Sequence, residues 1–230
     1  MNVTLIEHTP NPEHTVALAA RLCYSPASID ELREKLAASD IETFLDKVMS
    51  LGHHSVLEHA TFTFGIEGIS RVTTHQLVRH RIASFSQQSQ RYVSHKEEFT
   101  SIMPDTIAEN AEARQIFAFM SETVHKAYAQ LIDMGIPAED ARYILPNATE
   151  TKIIMTMNAR ELLHFFALRC CQRAQWEIRE MSIEMLRLAQ NIAPIIFRDA
   201  GPGCVNAPCP EGQFCCGQMD EVRKFYKNLN

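Results

Sequence analysis

Two long stretches of helical period limit what this chain can fold into. Residues 104–134 are opened by Pro104-Asp105 and closed by Gly135, and residues 174–199 form a second long segment with a bend expected before Pro194. Helices of that length must lay an apolar stripe on another element. Only three segments read as strands: residues 2–7 (NVTLIE), 61–69 (TFTFGIEGI, alternating polar and apolar) and the β-branched run 149–157 (TETKIIMTM). Three strands are too few for a doubly wound sheet, so the expectation is a mixed α/β domain.

Shorter helices fill the rest. Residues 12–24 carry helical spacing through Val16, Ala19, Ala20 and Cys23 until Pro26 ends it. Ser28, with Glu31 three residues on, is a capping-box signature for IDELREKL. Residues 41–51 and 70–81 are again helical, and Asn158 caps ARELLHFFALRCC. Beyond Gly201 the stretch GPGCVNAPCPEGQFCCGQ has no period and reads as a tail or a metal-bound loop. The division expected is a domain over 1–200 and a Cys/Gly/Pro-rich tail over 201–230.

Composition excludes several classes of function. The net charge of −6 disfavours general binding to nucleic acid polymers or anionic membranes. No apolar stretch approaches a membrane span. The start MNVTLIEHTPNPEH lacks the basic-then-apolar pattern of a signal peptide. Seven cysteines, an odd number, fit free thiols and a cytoplasmic setting. Neither GxGxxG nor GxxxxGK[ST] occurs, so a nucleotide bound here uses no glycine-rich phosphate loop.

Against the acidic whole, residues 79–92, RHRIASFSQQSQRY, place Arg79, Arg81 and Arg91 among Ser84, Ser86, Ser89, Gln87, Gln88 and Gln90, with no acid between them. Guanidinium forks match phosphate or carboxylate in bidentate fashion, and hydroxyls and amides add uncharged donors. Gln76, Arg79 and His80 stand at i, i+3 and i+4 and project together. A solvated basic face is the bland alternative; the added Ser89 and Arg91 favour an anion site.

A second feature lies on the helix after Asn158. Asn158, Leu162, Phe165, Phe166 and Arg169 share one face, so Arg169 continues an apolar stripe and calls for an anion or strong acceptors. A structural ion pair, or an arginine that snorkels to water, is the alternative there. His53, His54, Glu58 and His59 in HHSVLEH lack a third ligand in metal spacing. Arg142 stands one turn from Glu139, the spacing of a helical salt pair. Cys204, Cys209, Cys215 and Cys216 have spacings foreign to zinc ribbons, and no metal is expected.

The stretch RHRIASFSQQSQR resembles the signature RHRxxSxNxxSxR of the flavin-dependent thymidylate synthases, with Ser86 where asparagine is usual. GHHSVLEHATFTF at 52–64, ARYILP at 141–146, NARELLHFFALR at 158–169 and AQWEI at 174–178 are similar to further blocks of that family, in order, over roughly residues 1–200. The resemblance implies a homotetramer that binds FAD and dUMP and uses NADPH and methylenetetrahydrofolate to make dTMP, without a cysteine nucleophile. The fold class expected is α/β in the α+β sense: a single mixed domain with a central, mostly antiparallel sheet flanked by long helices.

Carried over residue by residue, the resemblance implies that Gln76, Arg79, Gln87, Gln88, Ser89, Gln90, Arg91, Arg142 and Arg169 contact dUMP, with Arg79, Arg91, Arg142 and Ser89 on the phosphate. It replaces the salt-pair reading of Arg142. Arg169 is the expected catalytic group, polarising the uracil ring. His53, Ser55, Glu58, Arg79, His80, Arg81, Gln87, Asn158, Arg160 and His164 are the expected flavin contacts; some relatives carry asparagine at the position of His164. A phosphate- or RNA-gripping module and a zinc-stabilised scaffold are the competing classes, and a purified protein without flavin colour would favour them.

Overall fold

The computed structural model describes residues 1–97 and 100–229. Four strands, β1 (Asn2–His8), β2 (Thr61–Ser70), β3 (Ala83–Gln87) and β4 (Glu150–Asn158), form one antiparallel sheet in the order β1-β2-β4-β3. Helices α1 (Pro12–Leu22), α2 (Ile29–Ala37) and α3 (Ile41–Ser50) follow β1, and α4 (Arg71–Leu77) follows β2. Next come α5 (Asp105–Ala108), α6 (Ala111–Asp133) and α7 (Ala138–Ala141), then α8 (Ala159–Arg169), α9 (Trp176–Ile192), α10 (Pro194–Phe197) and α11 (Met219–Lys227). The mixed α/β class and the antiparallel sheet are as expected.

The chain divides into two compact units. One comprises residues 1–2, 66–79 and 85–154; the other comprises 3–65, 80–84 and 155–230. The second holds the aromatic core. Phe62 and Phe64 alternate inward from β2, and Met155 and Met157 do so from β4, all essentially inaccessible. Phe62 meets Phe197 edge-on at 5.4 Å, and Phe166 from α8 meets Phe197 at 5.9 Å. On the opposite face of the strands Thr63 and Thr156 share a hydroxyl hydrogen bond of 2.9 Å. In the first unit Tyr128 of α6 is the largest fully buried side chain, and Lys96 pairs with Asp133 at 2.7 Å.

The local signals act as they should. Ser28 and Glu31 complete the capping box of α2, and Asn158 Oδ1 accepts from the Glu161 N–H at 2.9 Å to open α8. Gly135, at φ +84°, ends α6 in the left-handed region that glycine favours.

Three expectations need correction. The helix over 104–134 is two helices, because Asn110 accepts from the Glu112 and Ala113 N–H groups and caps a new start. The helix over 70–81 stops at Leu77, and the arginine stretch runs on into β3. The segment after Gly201 carries α11, whose Val222 and Tyr226 are 3 and 6 % exposed. The Tyr226 hydroxyl donates to the Cys170 carbonyl at 2.9 Å.

Candidate active site

The expected site residues fall into both units. Residues 80–81 and the groups on α8 belong to the second, together with the His54–His59 turn of 3-10 helix. Here Ala20, Cys23, Tyr24, Val48, Gly52, His53, His54, Ser55, Val56 and Arg160 line a cavity of about 340 Å³. Three expected flavin contacts, His53, Ser55 and Arg160, therefore share one hollow. Arg160 donates to Glu58 at 2.6 Å, with both side chains half exposed. The Tyr24 hydroxyl lies 3.2 Å from His53 Nδ1, and the two rings run nearly parallel at 6.2 Å. Cys23 and Tyr24, just past the end of α1, also line this hollow and carried no signal in the sequence.

Arg169 ends α8, partly buried, and burial holds its guanidinium below the ordinary arginine range. Its Nε donates to His80 Nε2 at 3.0 Å. His80 is 5 % exposed, with its Nδ1 3.4 Å from Glu161 Oε1 and its ring edge-on to Phe165 at 4.9 Å. Burial, then Arg169, then His164 push the imidazole down to about 4, so His80 is neutral at ordinary pH. His164 is exposed with its ring 6.1 Å from that of His80, and Arg81 is exposed beside it in sequence. Asn158 commits its side-chain oxygen to the cap of α8. Glu161, 8 % exposed, escaped the sequence reading because an acid in a first helical turn is explained by the helix dipole alone.

The first unit holds the remaining groups. Arg91 Nε donates to Glu139 Oε2 at 3.0 Å, and its guanidinium lies over the Tyr92 ring at 5.4 Å. Arg142 does not form the spaced salt pair; its Nε donates to the Glu139 backbone carbonyl at 3.0 Å. Arg71 is held below the ordinary arginine range by burial first and by repulsion from Arg142 second. Arg91 and Arg142 thus both bond Glu139, and Arg71 is close enough to feel Arg142. Arg71 carried no signal in sequence, because it stands outside the arginine stretch.

Ser89 Oγ accepts from the Arg91 N–H at 3.2 Å and so shapes the turn that presents Arg91. Gln87 Nε2 donates to Thr74 at 3.1 Å and Thr151 at 3.3 Å, which anchors the end of β3. Gln88 lines a second cavity, of about 350 Å³, with Glu67, Glu150 and Lys152. Arg79 is exposed, its N–H on the Gln76 carbonyl at 3.3 Å, and Gln90 is half-buried. Among the described residues no three His, Cys, Asp or Glu side chains are placed to hold a metal ion.

Guanidiniums interleaved with hydroxyls and amides are the groups by which proteins recognise phosphate or carboxylate, and they stand here on a mixed α/β scaffold. Residues 4–195 match the family described as "Thymidylate synthase complementing protein", and the chain belongs to that family. It is 61 % identical over 231 residues to a protein named flavin-dependent thymidylate synthase in Geobacter sulfurreducens, covering 100 % of both chains. It is 49 % identical to a protein of the same name in Clostridium tetani, covering 98 % of this chain and 97 % of the relative. A third, in Pyrococcus horikoshii, is 45 % identical and covers 100 % of this chain and 98 % of the relative.

Proposed function

We propose that this chain is a flavin-dependent thymidylate synthase. It converts dUMP to dTMP by reductive methylation, with methylenetetrahydrofolate as carbon donor and NADPH, through FAD, as reductant. The observation that carries the reading is 61 % identity along the full length of a relative with that name.

The residues present suit a flavin nucleotide. Ser55, His53 and Arg160 set a hydroxyl, an imidazole and a guanidinium into a hollow walled by Ala20, Val48 and Val56, the mixture of few polar groups on apolar walls that such ligands need. With Glu58, Asn158, Arg79, His80, Arg81, Gln87 and His164 they would hold FAD. When bound, that group supplies the hydride chemistry that side chains lack.

The polypeptide's own work is binding and polarisation. Arg91, Arg142 and Arg79 grip the nucleotide phosphate with Ser89, while Gln76, Gln87, Gln88 and Gln90 offer amides to sugar and base. The mutual repulsion of Arg71 and Arg142 is relieved when an anion arrives. Arg169 sets its guanidinium against the uracil ring, stabilising the negative charge that makes the reacting carbon nucleophilic. It acts as a fixed cation and hydrogen-bond donor, because a guanidinium does not give up its proton at neutral pH. No cysteine nucleophile is called for. Cys170, the buried thiol next to Arg169, is pushed up to about 12, first by burial, and would be a poor one.

The assembly read for this chain is a homotetramer in the cytoplasm. Ile116, Phe119 and Met120 on α6 are 60, 67 and 51 % exposed and form one apolar ridge, which supports burial against other copies. Among the described residues no helix is long and apolar enough to cross a membrane. Ile116→Asp with Phe119→Asp should shift the mass in solution below that of a tetramer, and an unchanged mass would take this ridge out of the interface.

The reading is tested with purified protein. Flavin absorption bands, and NADPH oxidation coupled to dTMP formation from dUMP and methylenetetrahydrofolate, are the expected result. A protein that forms no dTMP when FAD is supplied overturns it.

A further inference from the structure

We infer that Glu161 is a positioning residue for Arg169, acting through the imidazole of His80. The inference rests on the reading of Arg169 given above and adds to it a group outside the arginine stretch, one turn before Phe165 on the helix that carries Arg169.

The chain of contacts is directional. A guanidinium Nε–H can only donate, so His80 Nε2, 3.0 Å from Arg169 Nε, must be the acceptor. His80 is buried and neutral, so its one ring proton then sits on Nδ1. That nitrogen faces Glu161 Oε1 at 3.4 Å, and the carboxylate is itself 9 % exposed. A neighbouring acceptor favours this tautomer. The other tautomer would press an N–H against the Nε–H of Arg169. Phe165 packs edge-on against the ring at 4.9 Å.

Glu161, Phe165 and Arg169 recur every four residues on α8, so one helix presents the carboxylate, the wedge and the guanidinium to one imidazole. Asn158 caps the same turn at the Glu161 N–H, which fixes where the carboxylate starts. The logic matches that by which a buried carboxylate fixes a catalytic histidine's tautomer, or a metal ligand's. Here the group being aimed is a guanidinium, and the imidazole stands between it and the carboxylate.

The test uses the full-length holoenzyme and the variants Glu161→Gln and Glu161→Leu. Losing such supporting groups costs about 10- to 100-fold elsewhere. Glu161→Leu should lower kcat for dTMP formation by that much, with the KM for dUMP, the flavin spectrum and the assembly mass little changed. Glu161→Gln, which keeps an acceptor of the same length, should fall between it and the parent. In an Arg169→Lys background the loss from Glu161→Leu should largely vanish, because the group it aims is gone. Equal losses in both backgrounds, or a parent-like kcat in Glu161→Leu, overturn the inference. If that variant does not fold, 15N spectra of histidine-labelled parent protein decide, with the His80 signal assigned by its absence in His80→Asn. A proton on Nδ1 supports the inference and a proton on Nε2 overturns it. Absence of dTMP formation by the parent protein would instead count against the proposed function and leave the tautomer measurement standing.

Discussion

Replacing Glu139 by glutamine separates two roles for its carboxylate: competitor for Arg91, or its support. The Arg91–Glu139 contact spans 3.0 Å, with side chains 51 and 49 % exposed. A pair that open to water contributes about 0.2–1 kcal/mol. A nucleotide phosphate taking the same guanidinium makes charged hydrogen bonds of about 1.5–3 kcal/mol. On the proposed reading the phosphate should displace the carboxylate, and removing the competitor should tighten dUMP binding by at most about fivefold, the equivalent of 1 kcal/mol. Arg142 keeps its place in Glu139→Gln, because its acceptor is the Glu139 backbone carbonyl. Arg91→Ala should weaken dUMP by roughly tenfold to a hundredfold, the same 1.5–3 kcal/mol converted, while flavin content holds. The assay is calorimetric titration of holoenzyme with dUMP at one fixed ionic strength, since salt screens exposed pairs. A tenfold weakening in Glu139→Gln would show that the carboxylate holds Arg91 in place, and the competitor argument would be wrong.

Arg169→Ala should abolish dTMP formation and leave the fold intact, because Leu162, Phe165 and Phe166 stay buried without it; normal turnover removes Arg169 from the chemistry. Tyr226→Phe leaves the Cys170 carbonyl without its buried donor, a loss of about 1–3 kcal/mol, so the thermal midpoint should fall by several degrees at fixed protein concentration; an unchanged midpoint would make the contact of α11 with the end of α8 incidental. His80, depressed from 6.5 to about 4, binds its proton more readily unfolded than folded between those values. Stability should therefore be full above pH 6.5 and fall as pH drops toward 4, by up to about 3 kcal/mol. Glu161, raised by its own burial, opposes this at the lower end of the window. Urea midpoints across that range should lose most of the slope in His80→Gln; an identical slope would place the titration elsewhere.

What could be read from sequence was what local chemistry determines. The capping box of α2, the asparagine cap of α8 and the alternation in β2 and β4 are written in adjacent residues, and the structure has them. β3 could not be read this way. ASFSQ alternates over only five residues and offers just Ala83 and Phe85 as apolar positions, and its end is held by Gln87 reaching Thr151, 64 residues away. The cap at Asn110 was visible in principle, but an unbroken helical period on both sides hid it. α11 shows only Val222 and Tyr226, one turn apart, as buried residues within a charged segment. In the site, the spacing of Arg142 and Glu139 suggested a salt pair, whereas the carboxylate goes to Arg91, 48 residues distant. Sequence spacing sees contacts within a turn, and the site is made of contacts across the chain.

The two kinds of arginine in this protein differ in a way that suits two jobs. Arg91 is half exposed and tied to a carboxylate by a pair cheap to exchange. That is the property wanted of the proposed phosphate contact, which would accept and release its anion at every turnover. Arg169 is partly buried, its Nε turned to a neutral imidazole that brings no charge for it to compensate. A guanidinium held in place this way needs no rearrangement when negative charge develops beside it.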